Sequence, residues 1–344
     1  MKTFLLALFT ASLATVLFAA PANTRPAEPV KLIFDTDMGN DVDDALALAL
    51  IHSLERRGAC ELLAVTLTNP DPLAGAYVDA LNTFYGRGDI PIGVSPHSPQ
   101  VVNSKFLVTA REKDANGALV FPHAFDASRA PTSVALLRRT LANAADGSVV
   151  IAQVGFFTNL AALLDSGPDE HSPLRGDKLV AKKVRLLSLM AGAFQTFNFS
   201  NNYREFNVRY DVPAAVKVAN EWPTPIIWSG VEVGQAVLFP ATAVDHDFSW
   251  AKRHPVPEAY QRYEPTPHER PTWDLTSVIY AVYPERGLVT LSPPGRVKVE
   301  ADGVTRFAPA KNGGRDRFMI VDATQASGLR HLFAALCTEP VTTR

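Results

Sequence analysis

A chain of 344 residues and 37.3 kDa has room for one large α/β domain or two small ones. With 47% hydrophobic and 20% charged residues it can bury a substantial core, which excludes disorder as the dominant state. The near balance of 33 basic and 35 acidic residues, with no run of Lys or Arg, argues against a nucleic-acid partner bound by phosphate neutralisation. Two cysteines, Cys60 and Cys337, exclude a disulfide scaffold and a cysteine-based zinc cluster, and leave open whether those two pair.

Met1-Lys2-Thr3 opens a cationic start, Phe4 to Phe18 is almost wholly apolar, and Ala20-Pro21-Ala22 supplies small residues at a cleavage site. Residues 1–22 therefore read as a signal peptide and 23–344 as the mature domain, exported to the periplasm or beyond. The apolar run is too short for a spanning helix of ~20 residues, so no membrane association is expected after cleavage. Lys31–Phe34 then reads as a buried strand, Asp43–Leu54 as a buried helix, Glu61–Leu67 as a strand, Ala74–Tyr85 as a helix and Asp89–Val94 as a short strand. A helix over Ser133–Ala145, a strand over Ser148–Val154 and a helix over Thr158–Leu164 follow. Val184–Met190 reads as a strand, Pro213–Asn220 as a helix and Ile226–Ser229 as a strand. Strand–helix alternation with continuously apolar strands implies one α/β domain with a mainly parallel central sheet flanked by helices. Short strands and turns from about Leu288 to Val321 predict a small antiparallel element near the C-terminus, and Asp322-Ala323-Thr324-Gln325 a capping box before a last helix.

The first strand runs into Asp35-Thr36-Asp37-Met38-Gly39-Asn40-Asp41-Val42-Asp43-Asp44-Ala45, five carboxylates within ten residues. In open α/β sheets ligand sites lie off the carboxyl ends of strands. Carboxylates so close repel one another, and a hard divalent cation with all-oxygen ligands, Ca²⁺ or Mg²⁺, relieves that repulsion. A helix N-terminus stabilises negative charge by only ~0.3–1 kcal/mol per group, enough to explain two of the acids but not five. An EF-hand loop counted from Asp35 would need Gly where Asn40 stands and Glu where Leu46 stands. A phosphatase of the haloacid-dehalogenase type would continue Asp-x-Asp with Gly-Thr or Gly-Val, not Met38-Gly39. At the head of a helix, Asp43 and Asp44 point ~100° apart, so one can ligate the metal while the other faces a bound water.

The acidic segment resembles that of the calcium-dependent nucleoside hydrolases, the inosine–uridine-preferring family, and the likeness extends from Lys31 to the final helix. Leu62-Leu63-Ala64-Val65-Thr66 with Asn69, Asn82 with Asp89-Ile90-Pro91-Ile92, and Val154-Gly155-Phe156-Phe157-Thr158-Asn159-Leu160-Ala161 fit it in order. So do Met190-Ala191-Gly192-Ala193, Glu205-Phe206-Asn207-Val208 with Asp211 and Pro213-Ala214-Ala215, and Trp273-Asp274-Leu275-Thr276-Ser277. Each piece alone is weak; their number and order are specific. The resemblance implies Ca²⁺ held by the carboxylates of Asp37, Asp44 and Asp274 and the carbonyl of Val154, with Asp43 as the base that takes a proton from the ion's water. It implies sugar contacts from Asn69, Glu205 and Asn207, a ribose pocket lined by Met190 and Phe206, and Asp35 orienting the loop from behind. The implied activity is hydrolysis of the N-glycosidic bond of a nucleoside to base and ribose, by a homo-oligomer. A non-catalytic Ca²⁺-dependent ribose or nucleoside receptor, or a hydrolase of a modified N-glycoside, would share the same sugar site.

Three features depart from the family pattern. The acidic segment is two residues longer than its shorter form. Trp273 stands where many members carry a His that can protonate the leaving base; His268, Tyr260 or Tyr263 could substitute, or Trp273 could stack on the base. The stretch Val102–Ala130 has no counterpart and reads either as a surface loop or as a substrate-covering one, with His123 the residue of interest.

Overall fold

The structure is a computed structural model that describes residues 28–99, 104–311 and 313–341. The export segment and Val102 lie outside the described residues. Six strands form the parallel part of the sheet: β1 Val30–Thr36, β2 Cys60–Leu67, β3 Ile92–Val94, β4 Val149–Gln153, β5 Val184–Met190 and β6 Ile226–Ser229. Four more complete it: β7 Thr290–Leu291, β8 Gly295–Val299, β9 Thr305–Pro309 and β10 Asp316–Ile320. The order is β3-β2-β1-β4-β5-β6-β10-β8-β9, with β7 paired to β10. The expected antiparallel element is therefore an extension of the main sheet: β10 runs parallel to β6 and antiparallel to β7 and β8. β3 is shorter than the Asp89–Val94 expectation. Pro91, which has no N–H to give a ladder, instead accepts from Val65 through its carbonyl.

The helices are α1 Asp43–Arg56, α2 Pro72–Phe84, α3 Ser133–Asn143, α4 Thr158–Asp165, α5 Gly176–Lys183, α6 Phe206–Tyr210, α7 Val212–Glu221, α8 Val231–Gln235, α9 Pro255–Tyr263, α10 Trp273–Val282 and α11 Ala323–Cys337. Alternation along β1 sorts them into two layers. Leu32 and Phe34 point into a core shared with α1, α2, α9, α10 and α11, whereas Ile33 points into one shared with α3, α4, α5 and α7. Every residue of α1 from Asp43 to Leu54 is buried, because the sheet and the helices α10 and α11 enclose it. The capping box at Asp322 and Gln325 forms as expected. Cys60 and Cys337 are buried, unpaired thiols. No helix among the described residues is long and apolar enough to cross a membrane.

α9, which the sequence reading does not anticipate, starts from an unusual cap. The Nδ1 of His254 accepts the Val256 N–H at 3.1 Å, and its Nε2 lies 3.3 Å from the Tyr85 hydroxyl. The ring sits among Phe84, Phe248 and Trp250, and burial pushes its pKa down to about 3. The folded protein thus keeps His254 neutral while the unfolded chain titrates near the ordinary ~6.5. Stability from this group is complete above ~6.5 and is lost as pH falls toward 3, by up to ~1.4 kcal/mol per pH unit. His254→Asn, which keeps a capping acceptor, should show a correspondingly shallower loss of melting temperature between those pH values than the unaltered protein. Parallel acid-dependence curves for the two would remove this assignment.

Candidate active site

The turn out of β1 is built by backbone requirement. Gly39 has φ +111°, and a Cβ there would stand 2.6 Å from Leu107 and 2.8 Å from the Asn69 amide. The Met38 N–H donates to Thr36 Oγ1 at 3.1 Å, Asn40 Nδ2 to Asp37 Oδ2 at 2.8 Å and Asn69 Nδ2 to the Met38 carbonyl at 2.9 Å. The neighbouring loop after β4 closes on this turn at Gly155, where a Cβ would lie 2.5 Å from the Asp37 nitrogen. Two tight turns thereby bring Asp37 and the Val154 carbonyl to one place off the strand ends.

Asp43, Asp44 and Asp274 converge there, each offering a carboxylate oxygen, with all three oxygens within 4.8 Å of one another. Asp43 and Asp44 open α1, and Asp274 is the second residue of α10. The two helix ends are joined directly: the Asp274 N–H donates to Asp43 Oδ2 at 3.1 Å, and Thr36 Oγ1 donates to Asp44 Oδ1. Asp37, Asp43, Asp44, Val154, Met190, Glu205, Phe206, Asn207, Tyr263, Trp273 and Asp274 all line one cavity of about 320 Å³. A larger cleft of about 620 Å³ opens at the amino ends of the strands, beside Lys31, Glu61 and Arg185, and gathers none of these residues.

Electrostatics point to a missing counter-charge. Burial, with Asp41 next, raises the pKa of Asp43 well above the carboxylate range; burial and then Asp37 raise that of Asp44; burial and then Asp43 raise that of Asp274. Burial lifts Asp37 to about 7 against the Asn40 hydrogen bond. Two ionised carboxylates ~4.8 Å apart repel by ~3 kcal/mol at an effective dielectric of about 20. That exceeds what a helix N-terminus returns. An oxygen-only donor set of buried acids, with a strand-end carbonyl alongside, fits a hard divalent cation.

The sugar-contact candidates are already tied to the backbone. Glu205 caps α6: its Oε1 accepts the Asn207 N–H at 2.9 Å and its Oε2 the N–H groups of Val208 at 3.1 Å and Gly192 at 3.2 Å. Burial still raises it to about 7. Asn207 Nδ2 donates to the Val154 carbonyl at 2.7 Å and to the Met190 carbonyl at 3.1 Å, tying β4, β5 and α6 together. Asp35 lies beneath the turn, where it accepts from Thr66 and from Asn159 at 2.7 Å, and burial raises it to about 7.

Five of the singled-out residues do not line the cavity. Asp35 and Asn69 brace the turn from behind. Tyr260 is fully buried; its hydroxyl donates to the His268 carbonyl at 2.9 Å and accepts the Arg270 N–H at 2.8 Å. The His268 ring stands 3.4 Å from Glu264. His123 lies 3.2 Å from the Ala110 carbonyl within its own loop. Trp273 does line the cavity, with its indole N–H committed to the Val231 carbonyl at 2.9 Å.

The sequence reading gives Asp41 no role of its own among the five acids and does not anticipate Arg270. Its Nε donates to Asp41 Oδ1 at 2.9 Å and its Nη2 to the other Asp41 oxygen, so a guanidinium, not a metal, answers that acid. The signal was the acid in excess of any plausible ligand set, which calls for a cation elsewhere in the chain. Asn40 and Tyr203 also line the cavity and were not singled out.

Residues 32–326 match the profile of the family described as inosine-uridine preferring nucleoside hydrolase. The pyrimidine-specific ribonucleoside hydrolase RihA of Salmonella paratyphi B is 29% identical over 205 residues, 59% of this chain and 60% of the relative. The match thus spans about three fifths of the length of that relative. A plant nucleoside hydrolase, PpNRh1, superposes with a TM-score of 0.66 at 22% identity over 91% of this chain and 100% of its own. A purine-preferring ribonucleoside hydrolase from Gardnerella vaginalis does so with a TM-score of 0.68 at 18% identity over 90% and 99%. At such identities the likeness to solved structures establishes the fold.

Proposed function

Since the chain belongs to the inosine-uridine preferring nucleoside hydrolase family, we propose that it hydrolyses the N-glycosidic bond of ribonucleosides, with Asp43 accepting the proton of the attacking water. The observation that carries this reading is the convergence of Asp43, Asp44 and Asp274 within 4.8 Å of one another in the wall of a cavity that Glu205 and Asn207 also line. Asp37, Asp44, Asp274 and the Val154 carbonyl would hold the ion, which we take to be Ca²⁺. When bound, such an ion supplies an acidified, fixed water and offsets the charge of the acids.

The chain's own groups do the rest. Cleavage builds positive charge on the sugar ring, as in other glycoside hydrolyses. A floor of carboxylates favours that charge more in the transition state than in the ground state. Glu205, Asn207 and Met190, locked by their backbone contacts, would fix the sugar so that its anomeric carbon faces the Asp43 side. Asp43 keeps Oδ2 on the Asp274 N–H, and its other oxygen accepts no hydrogen bond among the described residues, so it can receive the water's proton.

Incubating the protein with uridine, inosine, adenosine and cytidine, with Ca²⁺ or with chelator, tests the reading. Ribose release that the chelator abolishes and Ca²⁺ restores is expected. No release from any of them under either condition would sink it.

A further inference from the structure

A departing nucleobase carries the electron pair of the broken bond, and something must answer that charge. Of the groups expected to supply a proton, His268 faces Glu264 and the Tyr260 hydroxyl is buried on backbone groups. Tyr263 does line the cavity, with its hydroxyl accepting from Arg270 and burial holding its pKa well above the ordinary tyrosine value, so it yields a proton poorly. Among the described residues lining the cavity there is no His and no Lys, and one cationic side chain, Arg270, set against six carboxylates. Its placement is rigid. The guanidinium carbon lies 5.0 Å from the centre of the Tyr263 ring and 5.1 Å from that of Trp273, a spacing at which cations are held by aromatic faces. Asp41 takes Nε and Nη2, and Nη2 also reaches the Tyr263 hydroxyl at 3.1 Å. Nη1 has no hydrogen-bond partner among the described residues, its nearest acid being Glu264 at 4.0 Å. Two N–H bonds of a fixed cation thus remain for a ligand.

We propose that Arg270, anchored by Asp41 and held between Tyr263 and Trp273, stabilises the negative charge of the departing base, so that the base leaves as an anion without a proton donor. This rests on the reading of the chain as an N-ribohydrolase. The C1′–N bond breaks with its electron pair on the base nitrogen. The water oxygen bonds to C1′, and its proton passes to Asp43. The anionic base takes a proton from solvent after release, and Asp43 returns its own to solvent. A guanidinium stays protonated at any working pH, so it acts here by field and hydrogen bonding, not by transfer. The substrate class follows: ribosides rank by how acidic the N–H of the released base is.

The test compares the unaltered protein, Arg270→Met and Arg270→Lys on uridine and on 4-nitrophenyl β-D-ribofuranoside, whose leaving group is already a stable anion. Arg270→Met should lose about 10²–10³-fold in kcat on uridine and less than about tenfold on the nitrophenyl riboside, with Lys recovering part of the loss. Cooperative melting above the assay temperature and retained calcium binding in each variant, with Arg270→Lys keeping the charge that answers Asp41, show that fold and acids survive. Equal loss on both substrates, or no loss on either, overturns the inference while leaving the hydrolase reading intact. An unaltered protein that releases neither ribose nor nitrophenol overturns both.

Discussion

Asp43→Asn should lower kcat for ribose release by about 10²–10⁴-fold while nucleoside affinity stays within a few-fold. The substitution is chosen for what it preserves. An amide oxygen can still accept the Asp274 N–H that ties α10 to α1, now 3.1 Å from Asp43 Oδ2, so the two helix ends should keep their spacing. What disappears is a carboxylate that can take the water's proton; in the ion-free protein, burial and then Asp41 raise its proton affinity. Two measurements separate base from ligand, because Asp43 lies within the same 4.8 Å group as Asp44 and Asp274. A residue acting as base leaves calcium affinity nearly intact when removed. If Asp43→Asn binds Ca²⁺ as poorly as a ligand variant does, Asp43 belongs to the ion's shell and another group takes the proton.

The second large effect reverses sign with the metal. Asp274→Asn should bind Ca²⁺ at least about tenfold more weakly and lose most turnover. With chelator present, the same variant should melt higher than the unaltered protein. The reason is the cost that Asp274 carries: burial first, then the charges of Asp43, Asp44 and Asp37, raise its pKa, so at neutral pH it destabilises the ion-free fold. Removing one acid from the group should return about 1–3 kcal/mol. With excess Ca²⁺ the order should invert, because the unaltered protein gains about 2.7 kcal/mol at a hundred times its Kd and the variant gains less. A variant that melts lower under both conditions would mean that Asp274 serves packing and not the ion.

Much of this was legible before any coordinates. Apolar strands alternating with helices gave the parallel sheet, because strands covered on both faces must be apolar throughout. The segment from Asp35 to Asp44 declared itself through repulsion that no isolated helix end can absorb. What escaped was set by partners far away in the chain. Nothing around Glu269-Arg270-Pro271 announces a guanidinium that answers an acid 229 residues earlier. α9 escaped because a histidine caps it, a role the residue fills only when a local turn aims its free nitrogen at the helix. β10 reads like any edge strand of an antiparallel ribbon, and only packing could show that it runs alongside β6.

The helix ends that share the acids are 231 residues apart in sequence, and this distance governs when the site comes into being. While the chain is being made, the acids from Asp35 to Asp44 are solvated carboxylates whose mutual repulsion water and salt screen. Their repulsion becomes costly when burial removes that water, and the docking of α10 against α1, a contact of long sequence separation, adds Asp274 to the group. The full repulsion thus arrives only when the site is assembled, and an ion captured there would act as a lock. Interactions formed after the rate-limiting barrier slow escape from the folded state without hastening arrival. Calcium should therefore lengthen the lifetime of the folded molecule far more than it quickens folding.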